Sequence, residues 1–256
     1  MAPIRNTIIH YVFTGFGIIK PGLTQEFTMD AQEAQKIFEQ AETERVTGSD
    51  TKAIELYMQL TKVANKYQLD ARHMLGVMYR TTGQTEQSLS LLKEVLDTEE
   101  LSPLKRAHIL RDYGDALRVN EQYDQATAAL EESLKLFETN GANPAERAAT
   151  LGFLSRVAAQ KGDLEAAFAK GTEAEKLFAQ YDNRHTELYH AIYMARLLAK
   201  MGRSDEARKK AQQLKPVVER YGKDVHRERL EIIERLADDP DKLEAAIKNS
   251  RDPNMS

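Results

Sequence analysis

From Asp30 onward, apolar residues recur three and four positions apart with charged residues between them, the signature of helices that each bury one stripe. Start signals punctuate the pattern. Asp30 with Glu33 and Asn143 with Glu146 have capping-box spacing, and Ser102-Pro103, Asn143-Pro144 and Asp239-Pro240 each set a cap residue before a proline at the first helical position. Between the predicted helices lie short breaks: TGSDTKA at 47–53, TGQTEQS at 82–88, NEQYDQA at 120–126, KGDLEAA at 161–167 and MGRSDEA at 201–207. They read as one turn used five times. Each ends in a small residue, Ala53, Ser88, Ala126, Ala167 and Ala207, at spacings of 35, 38, 41 and 40. A helix pair cannot bury its apolar face alone, so a period of this size predicts pairs stacked into a solenoid.

A second pattern precedes each turn. In RHMLGVMY, Leu75, Gly76 and Tyr79 reproduce the Leu-Gly-x-x-Tyr core of the tetratricopeptide repeat (TPR), with Ser88 and Leu92 following in register; Arg72 stands where that pattern prefers Trp. The next copy offers Leu110, Tyr113, Gly114 and Leu117, then Ala126 and Leu130. The chain therefore resembles TPR proteins over about residues 30–222, in five units. Gly76, Gly114, Ser155, Ala41 and Ala195 fall where the two helices of a unit approach most closely, which accounts for their small size. The sequence also departs from the pattern. Gln40 and Glu44 replace apolar residues in the first unit, and Gly171 and Ala211 replace bulky ones in the fourth and fifth. Periods above 34 resemble the extended repeats of kinesin light chains.

The resemblance implies an all-α, right-handed superhelical solenoid of about five helix pairs over 28–222. Pro216 is expected to kink or split the last of these helices. Residues 223–249 read as polar capping helices, DVHRERLEIIERLADD and a shorter one from Asp239-Pro240, followed by a disordered tail at 250–256.

Composition narrows function more than fold. A net charge of −4 argues against a nucleic-acid binder, whose affinity rests on excess Lys and Arg. With no Cys, thiolate nucleophiles and Cys-ligated metals are excluded. No phosphate-binding glycine loop is present, the six His are scattered, and adjacent acids such as Glu131-Glu132 diverge into solvent. The chain is expected to have no catalytic residues, metal or cofactor.

What remains is a basic stripe. In TPR-like solenoids the first helix of each pair lines the concave groove, and there each unit offers one arginine: Arg45, Arg80, Arg118, Arg156 and Arg196, joined by His73, His108, Arg111 and Lys200. A guanidinium fork grips a carboxylate or phosphate through two hydrogen bonds. The competing reading is pairing with acids of the same protein, since Arg111 and Asp115 are four apart and Asp112 lies close by. The dicarboxylate clamp of chaperone-binding TPR domains is not reproduced, because its asparagines are missing.

Residues 1–27 are different in kind. NTIIHYVFTGFGIIKPG is β-branched, aromatic and glycine-rich, which reads as extended chain, and its apolar run, Ile8 to Ile19, is too short to span a bilayer. Burial against the solenoid, exchange between the subunits of a homodimer, membrane contact through 8–19 and a processed targeting sequence all stay open. The expectation is a cytoplasmic, non-enzymatic adaptor that binds another protein or a peptide of acidic character in the Arg-lined groove. The alternative is an assembly subunit attached through its N-terminal segment, placed at a membrane periphery or in an organelle.

Overall fold

The computed structural model describes residues 29–62, 64–98, 101–180 and 184–250 of the chain. The apolar N-terminal segment and residues 251–256 lie outside the described residues. Those described form twelve α-helices and no strand. Five antiparallel pairs follow one another: α1 (Ala31–Thr47) with α2 (Asp50–Thr61), α3 (Gln68–Thr81) with α4 (Thr85–Leu96), α5 (Pro103–Val119) with α6 (Tyr123–Thr139), α7 (Pro144–Gln160) with α8 (Leu164–Phe178), and α9 (Arg184–Lys200) with α10 (Ser204–Tyr221). Then come α11 (Asp224–Leu236) and α12 (Pro240–Asn249). No helix among the described residues is long and apolar enough to cross a membrane.

The caps act where the sequence places them. Asp30, Ser102, Asn143 and Asp239 accept from the backbone N–H of Gln32, Lys105, Glu146 and Lys242, each satisfying a donor that the first turn leaves unpaired. The five breaks are one turn in atomic detail. Gly48, Gly83, Glu121, Gly162 and Gly202 are left-handed, with φ between 60° and 89°. The next N–H in each case reaches the carbonyl five residues back: Ser49 to Glu44, Gln84 to Tyr79, Gln122 to Leu117, Asp163 to Ala158 and Arg203 to Leu198, at 2.7–3.0 Å. This is the Schellman closure of a helix C-terminus. Five residues past each left-handed position, Ala53, Ser88, Ala126, Ala167 and Ala207 are fully buried.

Close approach within each unit explains the small residues. A Cβ on Gly76 would lie 2.7 Å from Leu92 Cγ, and one on Gly114 2.7 Å from Leu130 Cγ. Ala41 and Ala195 are fully buried, as is Ser155, whose hydroxyl donates to the Ala167 carbonyl at 2.6 Å. Leu75 is buried and Tyr79 packs beside it against the first core. Gly171, where the repeat pattern expects bulk, faces the side chain of Met194 from α9, which fills that space from the neighbouring unit.

The odd-numbered helices α3, α5, α7 and α9 touch one another in succession, while the even-numbered helices make no comparable contacts among the described residues. The array therefore curves with the odd-numbered helices inside, as a TPR-like solenoid does. Pro216 does not split the last repeat helix: α10 continues past it. Ala211 and Val218 are buried on either side, with Leu214 and Val217 packed against the same core, so tertiary packing holds the helix across its missing N–H. Leu230, Ile233, Leu243 and Ile247 of α11 and α12 close that core against α9 and α10.

Candidate functional site

Each inner helix carries one arginine of the stripe, in two registers: Arg45 on α1, Arg80 on α3 and Arg118 on α5 stand three residues before the left-handed residue of their turn, and Arg156 on α7 and Arg196 on α9 stand six before it. Three residues before an arginine, one helical turn toward its N-terminus, lies the side chain best placed to touch it. That position holds Glu42, Val77, Asp115, Phe153 and Tyr193 in turn. Glu42 and Asp115 pair with the arginine that follows them and Phe153 sets its ring beside Arg156, while Arg80 and Arg196 find their partners on other helices.

In the first three units the charge is cancelled. Arg45 pairs with Glu42 at 2.6 Å, and the Tyr57 hydroxyl donates to the same carboxylate. Asp115, only 2% exposed at its side chain, forms an ion pair with Arg80 at 2.9 Å and accepts a hydrogen bond from Arg118 at 2.7 Å. Burial alone raises a carboxyl pKa, yet Arg80, Arg118 and Arg156 together hold that of Asp115 below its ordinary value. Next to it lies a second network. Buried His73 hydrogen-bonds Asp112 at 2.7 Å, Arg111 reaches Asp112 at 3.3 Å and Glu146 at 2.6 Å, and His108 lies 3.5 Å from Glu146 with its ring edge-on to Phe137. Burial works against ionised Asp112, but Arg111 and His73 push its pKa well below the usual carboxylate range.

Units four and five differ. Arg156 is half-buried with its guanidinium 5.5 Å from the Phe153 ring and 5.1 Å from the Tyr193 ring, and no carboxylate of the described residues lies within 4 Å of it. Cation–π contact replaces an ion pair here. The rings are themselves fixed, Tyr193 sharing a 3.0 Å hydrogen bond with Ser155. Burial, then repulsion from Arg118 and Arg196, pushes the pKa of Arg156 down to about 10, against the pull of Asp115. Arg196 has a partner from outside the repeats, Glu244 of α12 at 2.9 Å. Lys200 is exposed at the rim and has no acidic partner among the described residues.

These side chains bound a hollow of about 350 Å³ on the inner face. Arg80, Arg118, Arg156, Arg196 and Lys200 contribute five cations against the two carboxylates Asp115 and Glu244. A second hollow of about 360 Å³ shares Phe153 and Arg156 with it. Val77, Met78, Ala149, Phe178 and Tyr189 make this one more apolar, and Arg45 lines it too. Of the stripe expected from sequence, the structure thus gathers five members into one hollow and Arg45 into its neighbour. His73, His108 and Arg111 line neither, because Asp112 and Glu146 engage them between α3, α5 and α7.

Sequence reasoning missed Phe153, Tyr193 and Glu244. The first two carry a readable signal, the spacings Phe-x-x-Arg and Tyr-x-x-Arg in FLSR and YMAR. Glu244 carries none, since its approach to Arg196 depends on how α12 folds back.

Similar architectures occur among solved structures. A Rap protein complexed with competence and sporulation factor superposes with a TM-score of 0.73 at 15% identity, over 86% of this chain and 64% of that one. The Rap conjugation gene regulator of plasmid pLS20, in complex with the Phr* peptide, gives 0.69 at 17% identity over 89% and 67%. Kinesin light chain TPR-like repeats from Podosopora anserina give 0.57 at 19% identity over 74% and 97%. No family model and no curated protein matches the sequence. At these identities the likeness shows the fold, a TPR-like helical repeat.

Proposed function

We propose that the chain is a non-enzymatic protein-interaction module that holds an extended or helical segment of a partner, acidic in character, along the face formed by its odd-numbered helices. One observation carries this reading: the hollow between α3 and α9 holds an excess of cations, and Arg156 within it is desolvated and has no carboxylate of the described residues within 4 Å. Such an arginine costs stability and is relieved by a guest anion. The apolar hollow beside it offers room for a neighbouring side chain of the same segment, so charge supplies selectivity and the buried side chain supplies affinity. A preformed helical surface loses little entropy on binding. The complex of the pLS20 Rap regulator with the Phr* peptide supports the reading by analogy of architecture.

A positional-scanning hexapeptide library, measured by fluorescence polarisation against the full chain and Arg156→Gln, tests it. Selection of Asp or Glu at one position by the native chain, lost in the variant, is the expected result. Indifference to acidic residues in the native chain would defeat the proposal.

A further inference from the structure

We infer that Glu244 is a tethered competitor for the guest carboxylate: from the C-terminal helix it occupies a guanidinium that a partner's acidic side chain uses when it binds beside Arg156. This rests on the reading that the hollow receives an acidic segment.

The two carboxylates in the hollow have different characters. Asp115 is buried between two arginines and belongs to the framework. Glu244 is 38% exposed at its side chain, Arg196 is 28% exposed, and a single contact at 2.9 Å joins them. An ion pair open to water in this way is weak and exchanges readily. Glu244 also reaches the hollow from outside the repeat array. Its neighbours Leu243 and Ile247 anchor α12 in the last core, so the carboxylate is delivered to the site by a helix that is itself firmly packed.

The consequence is specific. Glu244 pairs with Arg196 at Nε and leaves Arg156, stacked on its two rings, with no carboxylate of the described residues in contact. A guest carboxylate seated between Arg156 and Arg196 takes over the contact that Glu244 gives up, gaining a charge-assisted pair on each side. Until then Glu244 lowers the site's affinity for any anion. The cap helix thereby sets a threshold: weakly acidic segments fail to displace Glu244, and those that also fill the apolar hollow succeed.

The test titrates the full chain, isotopically labelled, with the tripeptide acetyl-Phe-Ala-Glu-amide and with its Gln counterpart, following the arginine Nε–Hε resonances. For the Glu peptide, Glu244→Gln is expected to bind about two- to fivefold tighter than the native chain, the worth of one exposed ion pair. Arg156→Gln is expected to weaken binding about tenfold or more, as loss of a charge-assisted contact does. Glu131→Gln, an exposed acid on the outer helix α6, makes the same change in net charge and is expected to leave affinity unaltered. If Glu244→Gln changes nothing while Arg156→Gln still loses binding, the competitor is overturned and the acidic groove stands. Equal tightening by Glu131→Gln overturns it as well, as a mere net-charge effect. If the Glu and Gln peptides behave alike, or neither binds, both the groove and its competitor fall.

Discussion

Arg118 and Arg156 lie on consecutive inner helices, yet Arg118 pairs with an acid and Arg156 rests on aromatic rings. Counted from the turns at Glu121 and Gly162, they are one helical turn out of step, so that Arg156 stands where the previous unit has Asp115. Asp115 precedes Arg118 and also captures Arg80 from the previous unit, whereas Phe153 precedes Arg156 and offers a ring face in place of a charge. Tyr193, three residues before Arg196, sets its ring against Arg156, and Arg196 pairs with Glu244. A stripe of identical residues is therefore not a uniform surface. Its first part uses arginine to tie α3 to α5, and in its second part Arg156 rests on aromatic rings while Arg196 pairs with α12.

The most direct way to break this contrast is to remove the acid from the first part. Asp115→Ala leaves two partly buried guanidinium groups facing Arg156 and is expected to cost about 3–5 kcal/mol, seen as a large drop in the urea midpoint. Glu244→Ala, by the same measurement, is expected to cost less than about 1 kcal/mol, because its pair is open to solvent. Equal losses from the two would erase the distinction between structural and available cations.

A smaller effect follows from acidification. His190 lies on α9 with its Nε2 donating to the Gly171 carbonyl at 2.8 Å. Burial, assisted by repulsion from Arg156 and Lys210, pushes its pKa down to about 4, against the pull of that hydrogen bond. The unfolded chain takes up this proton near pH 6.5 and the folded chain only near pH 4, so between these values the unfolded state binds more protons. The contribution of His190 is complete above pH 6.5 and is lost as the pH falls toward 4, to a total of about 3 kcal/mol. His108, also lowered by burial, acts in the same direction. Urea melts at stepped pH are expected to show this decline, and His190→Gln to flatten it. A flat native profile would mean that the region around Arg156 is less dry and less positive than its geometry indicates.

Much of the framework was legible because the turn is local chemistry. The five breaks could be aligned by eye since a left-handed residue, a Schellman hydrogen bond and a buried small residue recur at fixed offsets. Glu121 is the exception that tests the rule, a glutamate at φ 60° where the other four turns have glycine. Glu121→Gly is expected to stabilise the chain by about 1 kcal/mol and leave peptide binding unchanged, as a thermal melt and a repeat titration would register. One arginine per inner helix was legible in the sequence, but the shift of Arg156 and Arg196 by one turn was overlooked, although it can be counted from the breaks. Which arginine is paired was not read, because whether an acid is buried against it depends on packing between units. The continuity of α10 through Pro216 and the reach of Glu244 were beyond any local rule. Both are set by how the last helices close the core.

The smallest expected effect is the most diagnostic, because its sign separates the two parts of the stripe. Arg156 is held in a drying environment, between two other arginines, with aromatic rings as its compensation. Replacing a poorly compensated charge with an apolar side chain of similar length is close to neutral or mildly favourable. Arg156→Met is therefore expected to change stability by less than about 1 kcal/mol, upward if at all, while abolishing selection of acidic peptides. Removing Arg156 also relieves part of the repulsion on His190 and raises its pKa in the folded chain, so the loss of stability on acidification should be smaller and end at a higher pH in the same variant. Arg118→Met sets the opposite expectation: it strands Asp115 with one partner fewer and must destabilise. If both substitutions destabilise equally, the aromatic neighbours do no more than substitute for Asp115, and Arg156 belongs to the framework after all.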